Sequence, residues 1–353
     1  LGGSFDTESG QLLLRWALNF GVTYWETAER YLGGRSEKGF GKYFKRYPED
    51  RKKVFLVTKT TSKHPADMTA ALEGSLERMN TSYIDLYLWH RPRSLDHYDQ
   101  AVRDWVQKMK SEGKIRLFGF STHRNMAEMM MTAATLGGID GIQVSYNFRH
   151  MHLDEMKKAV AACAAAGIGL TAMKTVGSAS VDRIQGAPEI TEKEMELLSE
   201  LTGQFLQKDI TDIQARLMAV WQNPHIASIC SYMPNMAILE SNVNAALNWN
   251  KLSRKDMGVL KKYARATSSG YCLGCAKICE SAVEGYVPIS DVMRFLMYYN
   301  SYQQPERARS LFNELPADTQ HRIVGTDYSL AEQKCPQKMA IGRIMRTATK
   351  ILA

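Results

Sequence analysis

The stretch Gly21-Val22-Thr23-Tyr24-Trp25-Glu26-Thr27-Ala28-Glu29-Arg30-Tyr31 contains a glycine, then a β-branched and aromatic run, then a polar cluster. The glycine suits the left-handed end of a helix, and the run suits a strand. The same order recurs downstream. Val54-Phe55-Leu56-Val57, Tyr83 to Leu88, Ile115 to Phe120, Gly141 to Val144, Ile168 to Ala172 and Ile226 to Cys230 follow it. Most lie at intervals of roughly 30 residues, the size of one strand–helix unit. Between them, Met68, Leu72, Leu76 and Met79 share one helical face, and Val102, Trp105, Val106 and Met109 share another. Gly113 and Gly167 repeat the position of Gly21. Strict alternation of this kind predicts a parallel sheet. No Gly-x-Gly-x-x-Gly follows an early strand, which argues against an open dinucleotide-binding sheet. The expected fold is a closed parallel (β/α)8 barrel over residues 1–250.

The chain opens at Leu1-Gly2-Gly3 with no initiating Met and no export signal. We therefore expect the barrel's first strand upstream, together with any cleaved targeting segment. The compartment stays open between cytoplasmic and periplasmic. Of the 353 residues, 44% are hydrophobic and 23% charged, close to the average for soluble globular proteins. No run approaches the roughly 20 apolar residues of a membrane-spanning helix. The net charge of +8 arises from basic residues interleaved with acidic ones, a solvated surface rather than a nucleic-acid footprint. Lys338, Arg343, Arg346 and Lys350 share a helical face near the end, where an acidic redox partner protein has a complementary surface.

Barrel chemistry sits at the C-terminal ends of the strands, so the residues ending each run are the candidates. They are Glu26 and Tyr31, then Lys59, then His90, then Ser121-Thr122-His123, with Tyr146-Asn147 just past the Gly141 run. Trp25 to Tyr31, continuing Gly33-Gly34-Arg35-Ser36-Glu37, resembles the signature of the aldo-keto reductases. Val-Thr-Lys59-Thr, Leu-Trp-His90-Arg-Pro, Phe118-Gly119-Phe120-Ser121 and Gln143-Val144-Ser145-Tyr146-Asn147 are similar to that family's later motifs, in the same order.

The resemblance implies a nicotinamide-dependent oxidoreductase acting on a small carbonyl or alcohol. Tyr31 would be the acid that protonates the carbonyl oxygen. Lys59 would lower its pKa, Glu26 would orient and neutralise Lys59, and His90 would hydrogen-bond the substrate oxygen. Ser121, Thr122, Gln143, Met173, Lys174 and Asn242 would contact NAD(P)H. Three positions depart from the family pattern. Glu26 stands for an Asp, Met173 stands where an aromatic residue often stacks on the nicotinamide, and Ile238 stands where an Arg often meets the 2'-phosphate of NADP.

From about Asn248 the rhythm stops. Lys251-Leu252-Ser253-Arg254-Lys255 reads as a linker, and residues 251–353 read as a small helical domain. Of six cysteines, Cys163 and Cys230 fit apolar core positions, whereas Cys272-x2-Cys275-x3-Cys279 and a distant Cys335-Pro336 have the spacing of metal ligands. They resemble the ferredoxin-like tail of one branch of the aldo-keto reductases. That resemblance implies one 4Fe-4S cluster on Cys272, Cys275, Cys279 and Cys335. A four-thiolate zinc site accepts the same residues. Another reading is a degenerate barrel that serves as scaffold for an iron-sulfur electron carrier.

Overall fold

The computed structural model describes residues 6–176, 183–249 and 252–353. The β-branched runs form seven strands: β1 (Tyr24–Glu26), β2 (Phe55–Thr60), β3 (Ile84–His90), β4 (Ile115–Thr122), β5 (Gly141–Ser145), β6 (Gly169–Met173) and β7 (Ile226–Cys230). They pair in sequence order, each parallel to the next. β1 and β7 approach each other at the two ends of this order. The described residues thus form a seven-stranded near-barrel, where an eight-stranded closed one was expected; Leu1-Gly2-Gly3 lies outside them. Side-chain bonds span the seam. Tyr24 Oη and Thr171 Oγ1 are 3.1 Å apart, and Cys230 Sγ donates to Glu26 Oε2 at 3.4 Å.

The strands run further than the apolar runs suggest. Lys59 pairs with Leu88 and His90 with Ser121, so both polar residues lie within the ladder. A side chain fixed at the end of a ladder is aimed by the pleat, where one on a loop is not.

Helices α1 (Glu8–Asn19), α2 (Arg35–Arg46), α3 (Pro65–Arg78), α4 (Gln100–Ser111), α5 (Met126–Leu136), α6 (Asp154–Ala165), α7 (Glu192–Leu206), α8 (Asp212–Trp221) and α9 (Met236–Leu247) accompany the strands. Gly21, Gly113 and Gly167 take φ of 80°, 70° and 72°, the left-handed caps their positions predict. Trp25 is buried on β1 between Phe40 and Phe44 of α2, with ring centroids 5.5 and 5.9 Å away. The polar composition of Gly177 to Pro188 predicts a long loop after β6, and residues 177–182 of it lie outside the described ones.

Lys251 is likewise outside them, but the rest of the expected linker is structured. Ser253 and Asp256 form a capping box that starts helix α10 (Arg254–Ala266). Leu260 and Tyr263 then share an apolar core with Leu201 and Phe205 of α7. A separate core lies beyond it, in α11 (Ala276–Glu280), α12 (Ile289–Asn300), α13 (Pro305–Asn313), α14 (Ala317–Gly325), α15 (Ser329–Lys334) and α16 (Ile341–Leu352). Val292, Phe295 and Leu296 of α12 are buried there, as are Ile344, Met345 and Leu352 of α16.

Candidate active site

Three adjacent strand ends bring the expected catalytic residues together. Glu26 closes β1 and its carboxylate is in direct contact with Lys59 Nζ, which rises from β2 and also donates to Thr27 O at 2.8 Å. Tyr31 opens a tight turn (Tyr31–Gly34) in which Leu32 takes φ of 53° and Gly33 φ of 61°. This turn folds the chain back over the strand ends. Tyr31 Oη donates to Glu26 Oε1 at 3.5 Å, and Lys59 Nζ lies 4.9 Å from the Tyr31 ring centre. The rings of Tyr31 and His90 meet edge to face, 5.6 Å apart.

The electrostatics differ from the sequence reading in one respect. Lys59 was expected to lower the Tyr31 pKa directly. Here Glu26, one methylene longer than an Asp, lies between the two, and no hydrogen bond joins Tyr31 to Lys59. Burial pushes the Tyr31 phenol up from its ordinary value, only partly opposed by Arg307 and Arg91. Burial also pushes Lys59 down to about 7. The touching carboxylate acts in the opposite direction, and we assign an ammonium–carboxylate pair. Burial, then Lys59 and Arg91, hold His90 well below its usual range, so its imidazole is neutral, and its buried Nδ1 has no partner.

The residues expected at the cofactor are spread around the rim. Ser121 and Gln143 are buried on β4 and β5, and the Gln143 Oε1 atom has no partner. Thr122 Oγ1 donates to Arg124 O at 3.0 Å, and Asn242 on α9 donates to Ser231 Oγ at 3.0 Å. Met173 ends β6, and Lys174 beyond it takes φ of 58°. Among the described residues of the segment Ser231–Asn235 there is no basic side chain, and Ile238 is exposed.

Several residues at the mouth were not anticipated. Cys230 was read as a core residue, yet its thiol contacts Glu26; its position as the last residue of β7 was a signal for it. Tyr298 and Arg307 come from the C-terminal helices, and Arg307 Cζ lies 5.5 Å from the Tyr31 ring centre and 4.4 Å from that of Tyr298. The Met- and Tyr-rich sequence of helix α12 reads as a packing surface. Its Arg294 and Tyr298 instead face the barrel.

The cysteine segment is fastened to the loop after β4. Asn125 N donates to Gly274 O at 2.8 Å, and Lys277 N donates to Asn125 Oδ1 at 2.9 Å. Arg124 pairs with Glu280 at 2.7 Å and with Asp291 at 3.1 Å. Gly274 has φ of 78°, and a Cβ there would lie 2.0 Å from His123 O, so only glycine lets the two loops approach this closely. Cys272, Cys275, Cys279 and Cys335 all line one pocket, with Ile289, Met293 and Ile341 as its apolar wall, and none is in a disulfide. Burial, then Cys335, raises the thiol of Cys275 to about 11, and burial, then Glu280 and the neighbouring cysteines, raises that of Cys279 to about 12. Among the described residues, no three His, Cys, Asp or Glu side chains stand in a ready metal-ligand arrangement.

This geometry, a parallel barrel with a tyrosine, a carboxylate–lysine pair and a histidine at consecutive strand ends, defines a class of oxidoreductase-like barrels. Comparison with known proteins makes the assignment specific. The profile of the Aldo/keto reductase family matches residues 1–262, and the chain belongs to that family. Aldo-keto reductase YhdN of Bacillus subtilis is 31% identical over 43% of this chain and 48% of its own length. Methylglyoxal reductase YeaE of Escherichia coli is 38% identical over 31% of this chain and 37% of its own length. The chain thus spans about half or less of these curated relatives. An aldo-keto reductase structure from Bacillus halodurans, in its holo form, superimposes with a TM-score of 0.62 at 19% identity, covering 75% of this chain and 91% of that one. One from Klebsiella pneumoniae, in complex with NADP and acetate, gives 0.55 at 22% identity, covering 72% and 84%. These superpositions reflect a shared fold.

Proposed function

We propose that the chain reduces a carbonyl compound, or oxidises the corresponding alcohol, with a nicotinamide cofactor. The observation that carries this reading is the convergence of Tyr31, Glu26, Lys59 and His90 at three consecutive strand ends. Relatives named as reductases, and a neighbour that binds NADP, point the same way.

The nicotinamide, when bound, supplies the hydride. Tyr31 is protonated at neutral pH because burial raises its pKa, so its Oη is a proton donor for the substrate oxygen. Glu26 holds the Lys59 ammonium beside the phenol, and that ammonium, 4.9 Å from the Tyr31 ring centre, offsets the negative charge that develops as the proton leaves. His90, neutral, offers a ring nitrogen to the same oxygen and sets its position. Gln143 Oε1, buried and unpartnered, matches a carboxamide N–H as donor. Ser121, beside it, and Thr122, Met173, Lys174 and Asn242 along the rim complete the proposed cofactor contacts. NADPH is the form to test first.

We assign one 4Fe-4S cluster to the four cysteines, on their spacing and their common pocket. They share a pocket with an apolar wall, and ligation would remove the protons that burial otherwise holds on Cys272, Cys275 and Cys279. Their side chains would close on the metal as it binds, since metal ligation and local ordering are coupled. The cluster would supply a one-electron couple or a covalent brace for the C-terminal helices.

Tyr31→Phe is the test: carbonyl-dependent NADPH oxidation should fall by about 10²–10⁴-fold while NADPH still quenches the protein fluorescence saturably. Full activity in that variant excludes the mechanism. Absence of saturable quenching in the parent protein favours the scaffold reading, for which the crowding of Tyr31 by Arg307 and Tyr298 is the supporting observation.

A further inference from the structure

Four cations from separate parts of the chain gather at the barrel mouth. Arg91 follows β3, Lys174 follows β6, Arg294 lies on α12 and Arg307 on α13. Lys174 Nζ lies 4.5 Å from the Tyr298 ring centre and Arg307 Cζ 4.4 Å from it. Lys174 and Arg294 line a common pocket between barrel and C-terminal helices, together with His123, Ser145, Tyr271 and Ser290.

The carboxylates nearby do not balance this charge. Glu26 is held by Lys59 and Glu280 by Arg124. Asp291 alone serves Arg294, Arg124 and Arg93, at 2.5, 3.1 and 3.4 Å. Among the described residues, no carboxylate pairs with Arg91, Lys174 or Arg307, and the buried Nε of Arg294 has no partner. Burial raises the Tyr298 phenol, yet Lys174, Arg307, Arg294 and Arg91 together pull it down to about 7. A neutral hydroxyl thus already feels a field that favours its anion. Arg294 is buried and Arg91 and Lys174 are half-buried, whereas Arg307 stands exposed at the rim; cations withdrawn from water in this way are costly unless an anion meets them.

We propose that the mouth selects a carbonyl substrate that also carries a carboxylate or phosphate, the anion lying among Arg91, Lys174, Arg294 and Arg307 while the carbonyl meets Tyr31 and His90. The placement of the carbonyl rests on the reductase reading above; the anion site does not.

The experiment measures NADPH oxidation by the holoprotein with 4-formylbenzoate and its methyl ester, and with glyceraldehyde 3-phosphate and glyceraldehyde, in the parent protein and in Arg307→Gln. The parent should prefer the anion in at least one pair. Arg307→Gln should cut that preference about tenfold, through KM, as expected for loss of one charge-assisted contact. Which pair shows the preference tells carboxylate from phosphate. Neutral substrates preferred in both pairs, an equal loss for both members of each pair, or a change confined to the KM for NADPH overturns the proposal; the last outcome assigns the cations to the cofactor. Should none of the aldehydes turn over, calorimetric binding of 4-formylbenzoate and glyceraldehyde 3-phosphate decides. Saturable binding weakened by Arg307→Gln upholds the anion site and counts against the reductase reading, whereas no binding of either sinks the site. Arg91→Gln repeats the measurement if Arg307→Gln loses its helical circular dichroism.

Discussion

Two pockets meet at Cys272, Leu273 and Ser290, and they are chemically opposite. One is walled by Ile289, Met293 and Ile341 and holds four thiols, of which burial keeps those of Cys272, Cys275 and Cys279 protonated. The other, towards the barrel, is lined by Lys174, Arg294 and His123. The contrast shows how burial is compensated in each place. Thiols can wait as neutral groups in an apolar wall until a metal takes their protons, whereas lysine and arginine must find a counter-charge. At the strand ends Glu26 provides one for Lys59; in the cationic pocket, among the described residues, Asp291 is the carboxylate that pairs with Arg294, and none pairs with Arg91, Lys174 or Arg307.

Removing the Glu26 counter-charge is the harshest way to break the comparison. Glu26→Gln strands a buried ammonium and should cost about 3–5 kcal/mol, read by urea denaturation at pH 7. Sign matters here. Lys59 in the variant has a folded pKa near the about 7 that burial favours, below its unfolded value. The unfolded state then binds more protons between those values, so stability should rise as pH climbs above 7. A flat profile would mean that Lys59 keeps its proton by other means.

Tyr31→Phe, with the pair left intact, should lower carbonyl reduction by about 10²–10⁴-fold, the usual range for a general acid, with no comparable change in melting temperature. On the apolar side, Cys335→Ser should remove the visible absorbance of anaerobically purified protein. Stoichiometric zinc in a colourless parent protein refutes the cluster.

Tyr298→Phe sharpens the contrast from the cationic side. An ultraviolet titration of the parent protein should show one tyrosinate appearing near the about 7 set by Lys174, Arg307, Arg294 and Arg91, and the variant should lack it. The smallest effect lies away from both pockets. Burial raises the Asp256 carboxyl, but Lys208, the Ser253 backbone and Gln204 outweigh it and hold it at about 2. Asp256→Asn should therefore cost about 1–2 kcal/mol at pH 7 through the helix cap. The difference from the parent should fade as pH drops from the unfolded carboxylate value towards 2; a constant difference would leave the charge without a role.

The alternation of apolar runs and helical faces, legible from Val22 to Cys230, was enough for a parallel near-barrel of seven strands, because strand and helix periods are local properties of the chain, whereas the closure expected of eight is not. The polar residues ending the runs were legible for the same reason: a position just after a strand is a position at the rim. Lys59 and His90 needed the ladder to show that they lie within strands. Ser253-Arg254-Lys255 reads as a linker by composition and is a helix start by its capping box, a bond between side chain and backbone that composition does not reveal.

By itself, the sequence determined which residues are available for chemistry: a tyrosine, a lysine, a histidine and a carboxylate in order, and four cysteines at ligand spacing. Only the tertiary structure decided what stands between and above them. Glu26 intervenes between Tyr31 and Lys59, Cys230 touches Glu26 across the seam, and Arg294, Tyr298 and Arg307 come to the mouth from more than 200 residues beyond Tyr31, Lys59 and His90 in the chain. The physical reason is that charge balance and burial depend on distance in space, and no periodicity along the chain encodes the packing of α12 and α13 over the ends of β1 to β6.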